Sequence, residues 1–431
     1  INDMMHIDFE SFFRLANIFW KSIGLHIYEL SDGKQRSHWM DLVFLISMLN
    51  LHFLMLGEVV YVVLALRDNS NFIEATMSLT YIGFIIVGAV KIWNIWNQKQ
   101  RLTQVMRVLH RLHPNQPQQQ ATYGVQNRLR NYNLLSLGFA LVHQILIWTY
   151  NLYAIVSYLI HYYWFQRRET QQSLPYFCYV PWNWRDHWTY YLLYALQNLA
   201  GHTCTAGQIA CDITLGAVAT QVIMHYQQLA KRIGTYVVRE GSNSLEFLTE
   251  IIEYHQEILH LSDDMNIVFG VSLLTNFISS AVIICVLGFQ MSIGGNGATS
   301  AGMLFLFLAC SLLQTFLISN YAQDLIHASE SVGHAAYNHD WHNADIRYRK
   351  ILVLLIERAQ KPSILKATSL LHISLAQMTT VNTIGNLFQL VFIFDSFPSS
   401  SSFKHRTNYS QCSERFIISD QNQLSIYIYF K

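Results

Sequence analysis

Residues Met265 to Gln323 read "MNIVFGVSLLTNFISSAVIICVLGFQMSIGGNGATSAGMLFLFLACSLLQTFLISNYAQ". The stretch holds 59 residues and no Asp, Glu, Lys or Arg. A helix needs about 20 apolar residues to cross a bilayer core, so this run predicts two crossings. The turn-forming string Gly294-Gly295-Asn296-Gly297 divides it. Further uncharged runs lie on both sides: Ala75 to Val90, Asn131 to Gln166, His187 to Cys211 and Ala367 to Phe394. Trp39 to Leu66 makes another, with Asp41 at its start and Glu58 near its end. Seven spans are therefore predicted, at about 40–66, 73–93, 134–161, 188–211, 267–291, 300–322 and 368–391. Backbone in lipid must satisfy its own hydrogen bonds, and a barrel shows alternating ten-residue segments. These runs are continuous, so the expected class is all-α, a polytopic membrane protein.

Composition agrees. Hydrophobic residues make up 52% of the 431 and charged residues 13%, about half the ~25% charge of a soluble domain. A net charge of +1 argues against nucleic-acid binding, which needs a dense basic face. Six scattered cysteines form no disulfide framework. There is no Gly-x-Ser-x-Gly elbow, phosphate loop or dinucleotide fingerprint, so no enzyme and no cofactor are expected. His334, His339, Asp340 and His342 fit no structural zinc spacing, and no metal site is expected. The first residues carry no cationic leader with a short apolar core, so no signal peptide is expected.

Lys and Arg mark the cytoplasmic side. Nineteen fall in the N-terminal segment and in segments 94–133, 212–266 and 323–367; eight fall on the other side. This places the N-terminus in the cytoplasm, the reverse of a G-protein-coupled receptor. The one glycosylation sequon, Asn408-Tyr-Ser410, lies in the tail.

Three passages resemble the insect odorant receptors. "DITLGAVATQVIMHYQQLAKRI" opens on Asp212 and carries spaced apolar residues and His225. "HAAYNHDWH" sets Ala336-Tyr337 four residues before Trp341. "KPSILKATSLLHISLAQMTT" is similar to the start of the family's last span. After Thr380 the chain departs from the family pattern, and residues 393–431 read as an atypical polar tail, disordered or an alternative exon. The gustatory-receptor string is absent from span seven, and the long insertion of the shared co-receptor is absent between spans four and five. The resemblance thus implies an odorant-tuning subunit of a ligand-gated, non-selective cation channel, in a hetero-oligomer with the co-receptor. It further implies a tetramer in the plasma membrane of olfactory neuron dendrites, with a small volatile ligand. A transporter and a gustatory-type chemoreceptor are the alternatives.

A volatile ligand needs a mostly apolar pocket with a few orienting polar groups. The resemblance places it in the outer half of the bundle, where Tyr81, Phe84, Trp148, Tyr150, Tyr153 and Tyr194 gather and Asn198 adds a polar group. Phe305, Phe307, Gln197 and His202 lie nearby in the same halves. Ser374, Leu375, Thr379 and Thr380 are the expected pore-lining residues. Lys91 is expected to snorkel. Asp212 is expected at the cytoplasmic interface, paired with Lys231, Arg232 or a neighbouring helix. Glu58 is expected near the outer end of span one, as an interfacial or a functional carboxylate. Two amphipathic segments, "SLEFLTEIIEYHQEILHLSDDM" and "IRYRKILVLLIERAQ", are expected to seek partners below the membrane.

Overall fold

The computed structural model describes residues 6–30, 38–67, 72–166, 171–185, 187–238, 243–293, 298–367 and residue 373. The predicted seventh span, with Ser374, Leu375, Thr379 and Thr380, and the tail after it lie outside the described residues.

Uncharged runs become long helices because an α-helix is the one open segment that meets its own hydrogen bonds in lipid. They are α1 (Arg14–Ser22), α2 (His38–Arg67), α3 (Phe72–Asn97), α4 (Lys99–Leu112), α5 (Pro117–Tyr123) and α6 (Val125–Leu159). A π turn at Ile160–Trp164 ends α6. Then follow α7 (Thr189–Thr235), α8 (Ser244–Ile293), α9 (Ala298–Asn338) and α10 (Ile346–Ala359). Six of these, α2, α3, α6, α7, α8 and α9, are long and apolar enough to cross a membrane. They coincide with the first six predicted spans. α8 ends at Ile293 and α9 begins at Ala298, and the Gly-rich string between them lies outside the described residues.

The helices that carry spans four to six run past the predicted crossings at one end. α7 runs on to Thr235, α8 begins at Ser244 and α9 continues to Asn338. Both predicted amphipathic segments are helical: the first opens α8, the second is α10. The physical reason is that a helix ends where its hydrogen bonding ends, and a charged residue alone does not stop it.

α7 is the axis. It packs against α1, α2, α3, α6, α8 and α9. Between Thr203 and Tyr226 every residue of α7 is buried. Small side chains permit this enclosure. A Cβ at Gly207 would strike Ile92 of α3, and one at Gly216 would lie 2.8 Å from the Tyr321 ring of α9. The outward faces are apolar instead: Leu49 and Phe53 of α2 and Leu134 and Ile145 of α6 are exposed. An apolar exterior over a partly polar interior is the arrangement a bilayer solvent favours.

At the α4 end, the N-terminal segment plugs the bundle. Phe12, Phe13 and Trp20 are fully buried, and Trp20 Nε1 donates to Thr214 Oγ1 at 3.0 Å. His339 is likewise a packing residue: its ring nitrogens meet the Ala336 carbonyl at 2.9 Å and the Tyr348 hydroxyl at 2.8 Å.

Candidate ligand-binding site

At the opposite end, the segment 171–185 between α6 and α7 folds back over the helices. Gln197 of α7 pins it by accepting from Tyr176 N at 3.1 Å and donating to Tyr176 O at 3.2 Å. The Tyr176 hydroxyl donates to Asn151 Oδ1 of α6 at 2.9 Å. Gly201 makes room for this ring, since a Cβ there would lie 2.8 Å from the Tyr176 oxygen.

Beneath Tyr176 lies a cavity of about 30 Å³. Tyr81 and Phe84 of α3, Tyr150 of α6 and Phe307 of α9 give its aromatic wall; Leu54 of α2 and Cys204 of α7 complete it. The rings meet edge to face, the favoured arrangement of their quadrupoles. Tyr81 lies 5.7 Å from Tyr150 and 5.6 Å from Tyr176, and Phe84 lies 5.4 Å from Phe307. Five helices and the segment of Tyr176 thus converge on an almost wholly apolar space.

The predicted site residues divide into three groups. Tyr81, Phe84 and Tyr150 line the cavity. Tyr194 and Asn198 do not; the Tyr194 hydroxyl donates to the Asn151 carbonyl, and Asn198 Nδ2 donates to the Tyr194 carbonyl at 2.7 Å. They brace the wall from behind. Trp148 and Tyr153 point outward, 49% and 43% exposed. Trp148 stands two positions before Tyr150, and a helix carries such a neighbour to its far side. Phe307 joins the cavity while Phe305 faces out, for the same reason. Tyr176 went unpredicted because it sits in a connecting segment; the small residues Gly201 and Cys204 were the signal that α7 admits a neighbour there.

A second cavity of about 20 Å³ adjoins the first and shares Phe84, Leu146 and Phe307 with it. Its wall is more polar, with His143, Gln208, Ser280 and Gln314. Gln314 Nε2 donates to Asp212 Oδ2 at 2.6 Å. Asp212 in turn accepts from Lys91 Nζ at 2.8 Å on each oxygen and from Asn276 Nδ2 at 3.4 Å.

This cluster corrects one expectation. Lys91 does not snorkel; it is fully buried, and Asp212 is 3% exposed. Of the expected partners for Asp212, a neighbouring helix supplies the cation, not Lys231 or Arg232. Two opposite charges that meet inside the bundle avoid the large cost of burying either alone. Glu58 is also buried rather than interfacial. Neither of its carboxyl oxygens has a hydrogen-bond partner among the described residues.

Fold and cavity together define a polytopic, all-α membrane protein with a small aromatic pocket inside its helix bundle. The family described as "7tm Odorant receptor" matches residues 71–385. The chain belongs to this odorant receptor family. It is 41% identical over 379 residues to odorant receptor 85c of Drosophila melanogaster, covering 88% of this chain and 97% of that one. It is 37% identical to odorant receptor 85b of the same organism, with the same coverage. Among solved structures, the olfactory receptor OR5 of Machilis hrabei in complex with eugenol superposes with a TM-score of 0.77 at 13% identity. That match covers 90% of this chain and 98% of the other, and it shows the shared fold.

Proposed function

We propose that this chain is the odorant-binding subunit of a heteromeric, ligand-gated, non-selective cation channel formed with the odorant co-receptor. The observation that carries the reading is the aromatic cavity under Tyr176, inside a chain of the odorant receptor family. A related fold is known in complex with eugenol, a small aromatic volatile. The chain sits in the plasma membrane with its N-terminus in the cytoplasm, supported by the excess of Lys and Arg on that side. Residues 368–391 supply the seventh span, and Ser374, Leu375, Thr379 and Thr380 line the upstream part of the pore. Residues 393–431 form a separate polar tail.

Gating requires that ligand favour one arrangement of the helices over another. The cavity provides the means. Its 30 Å³ is room for about two waters, so a volatile of ten heavy atoms enters only by pushing the rings apart. Phe84 and Phe307 stand between the two cavities, and Gln314 in the second holds Asp212. Displaced rings therefore press on the cluster that ties α3, α7, α8 and α9 together.

The test is co-expression with the co-receptor and application of a panel of volatiles. The reading requires a ligand-evoked cation current that disappears without the co-receptor. Uptake of the volatile without current makes the chain a transporter and overturns the reading.

A further inference from the structure

We infer that the second cavity selects ligands bearing a hydroxyl group, so that this receptor takes alcohols and phenols in preference to ethers of the same shape. The inference rests on the odorant-receptor reading and adds the chemical class of the ligand. It follows from which ends of the buried polar side chains are already engaged.

Gln208 Nε2 donates to the Phe84 carbonyl at 3.0 Å, and Gln314 Nε2 donates to the Asp212 carboxylate. Only an amide NH₂ can meet a carbonyl or a carboxylate, so both orientations are fixed by chemistry. His143 Nδ1 faces the Phe139 carbonyl at 3.0 Å and must carry the proton of a neutral ring. Three acceptors are left: Gln208 Oε1, Gln314 Oε1 and His143 Nε2. None has a hydrogen-bond donor among the described residues, and the three residues are 1%, 8% and 2% exposed. Thr315 Oγ1 gives its one proton to the Ser311 carbonyl at 3.0 Å, so Ser280 Oγ is the donor to Thr315 Oγ1 at 3.1 Å and keeps only lone pairs of its own.

A ligand hydroxyl answers this wall. It gives its proton to one of the three acceptors, in a wall where Ser280 too has only lone pairs to offer. An ether, ester or ketone accepts only, and pairs with none of the three acceptors. Buried groups left in that state are the strongest source of discrimination a pocket has. The apolar body of the ligand lies among Tyr81, Tyr150 and Phe307 in the adjoining space, where nothing asks for a hydrogen bond.

The experiment compares isomers of equal atom count. Purified receptor is titrated with 2-phenylethanol against benzyl methyl ether, and with 1-hexanol against methyl pentyl ether. Binding is read as a shift in the thermal unfolding midpoint. The same four compounds are applied to cells expressing the receptor with the co-receptor, and current is recorded. Each alcohol is expected to bind at least about tenfold more tightly than its isomer, the scale of one hydrogen bond to a buried acceptor. Gln208→Leu and His143→Phe should each narrow the gap, and His143→Gln, which restores an acceptor, should keep it. Equal binding of the isomers, tighter binding of the ethers, or binding of neither overturns the inference. Retained alcohol preference in binding with no current overturns the channel reading and leaves the inference standing.

Discussion

Asp212→Asn leaves the Lys91 ammonium in the middle of the bundle with no carboxylate. The expected cost is about 3–5 kcal/mol of stability. The double change Lys91→Met with Asp212→Leu should recover most of it, because removing both charges also removes both desolvation costs. Thermal unfolding of the purified receptor checks this; an unchanged midpoint in the Asp212→Asn protein means the cluster does not hold the helices. A second expectation concerns the pocket wall. Phe307→Ala opens the partition between the two cavities at a cost of about 3–5 kcal/mol in packing. Its response should shift toward bulkier volatiles, measured as a change in the order of half-maximal concentrations across a size series. These residues show what sequence alone could carry. Tyr81, Phe84 and Tyr150 line the cavity, and the sequence pointed to them because their spans are rich in aromatic residues and an apolar pocket needs such walls. The Lys91–Asp212 pair was not, since its members lie 121 positions apart and a charge count has no geometry. Trp148 and Tyr153 face outward, which a uniform apolar run does not reveal.

For the elements, α7 decides most. A surface helix carries one apolar stripe, but α7 is covered nearly all round by six other helices. Its glycines are therefore contact points. Gly207→Leu drives a side chain into Ile92, and Gly216→Leu drives one into Tyr321. Overpacking of this kind costs about 1–3 kcal/mol per site. Each variant is expected to lower the fraction of receptor reaching the cell surface. Gly138→Leu on α6, where a Cβ meets nothing within 4 Å, should leave that fraction unchanged. Equal surface levels for all three would mean that α7 tolerates wider spacing. The sequence marked where α7 enters the apolar run but not where it ends. Asp212 interrupts the uncharged stretch at the helix centre because its charge is neutralised there, and a search for uncharged runs has no way to see a partner.

For the whole molecule, the count of spans followed from apolar length, and six of the seven predicted spans fall within helices long and apolar enough to cross a membrane. The proposed sidedness rests on a nineteen-to-eight division of Lys and Arg. An epitope placed before Ile1 should be hidden from antibody on intact cells and stained after permeabilisation; staining of intact cells reverses the assignment. The family match ends at residue 385, ahead of the polar tail. Truncation after residue 392 is accordingly expected to leave the surface level of the receptor within about twofold of the full chain, read by the same antibody.

The ion cluster also sets an order on biogenesis. A ribosome releases Lys91 well before the carboxylate that answers it, and Gln314, 102 positions beyond Asp212, arrives later still. Until α9 emerges, the nascent chain holds charges whose partners have not yet been made. The finished bundle is thus a late event in synthesis, and any pause between α3 and α9 exposes the intermediate that cellular quality control is built to detect.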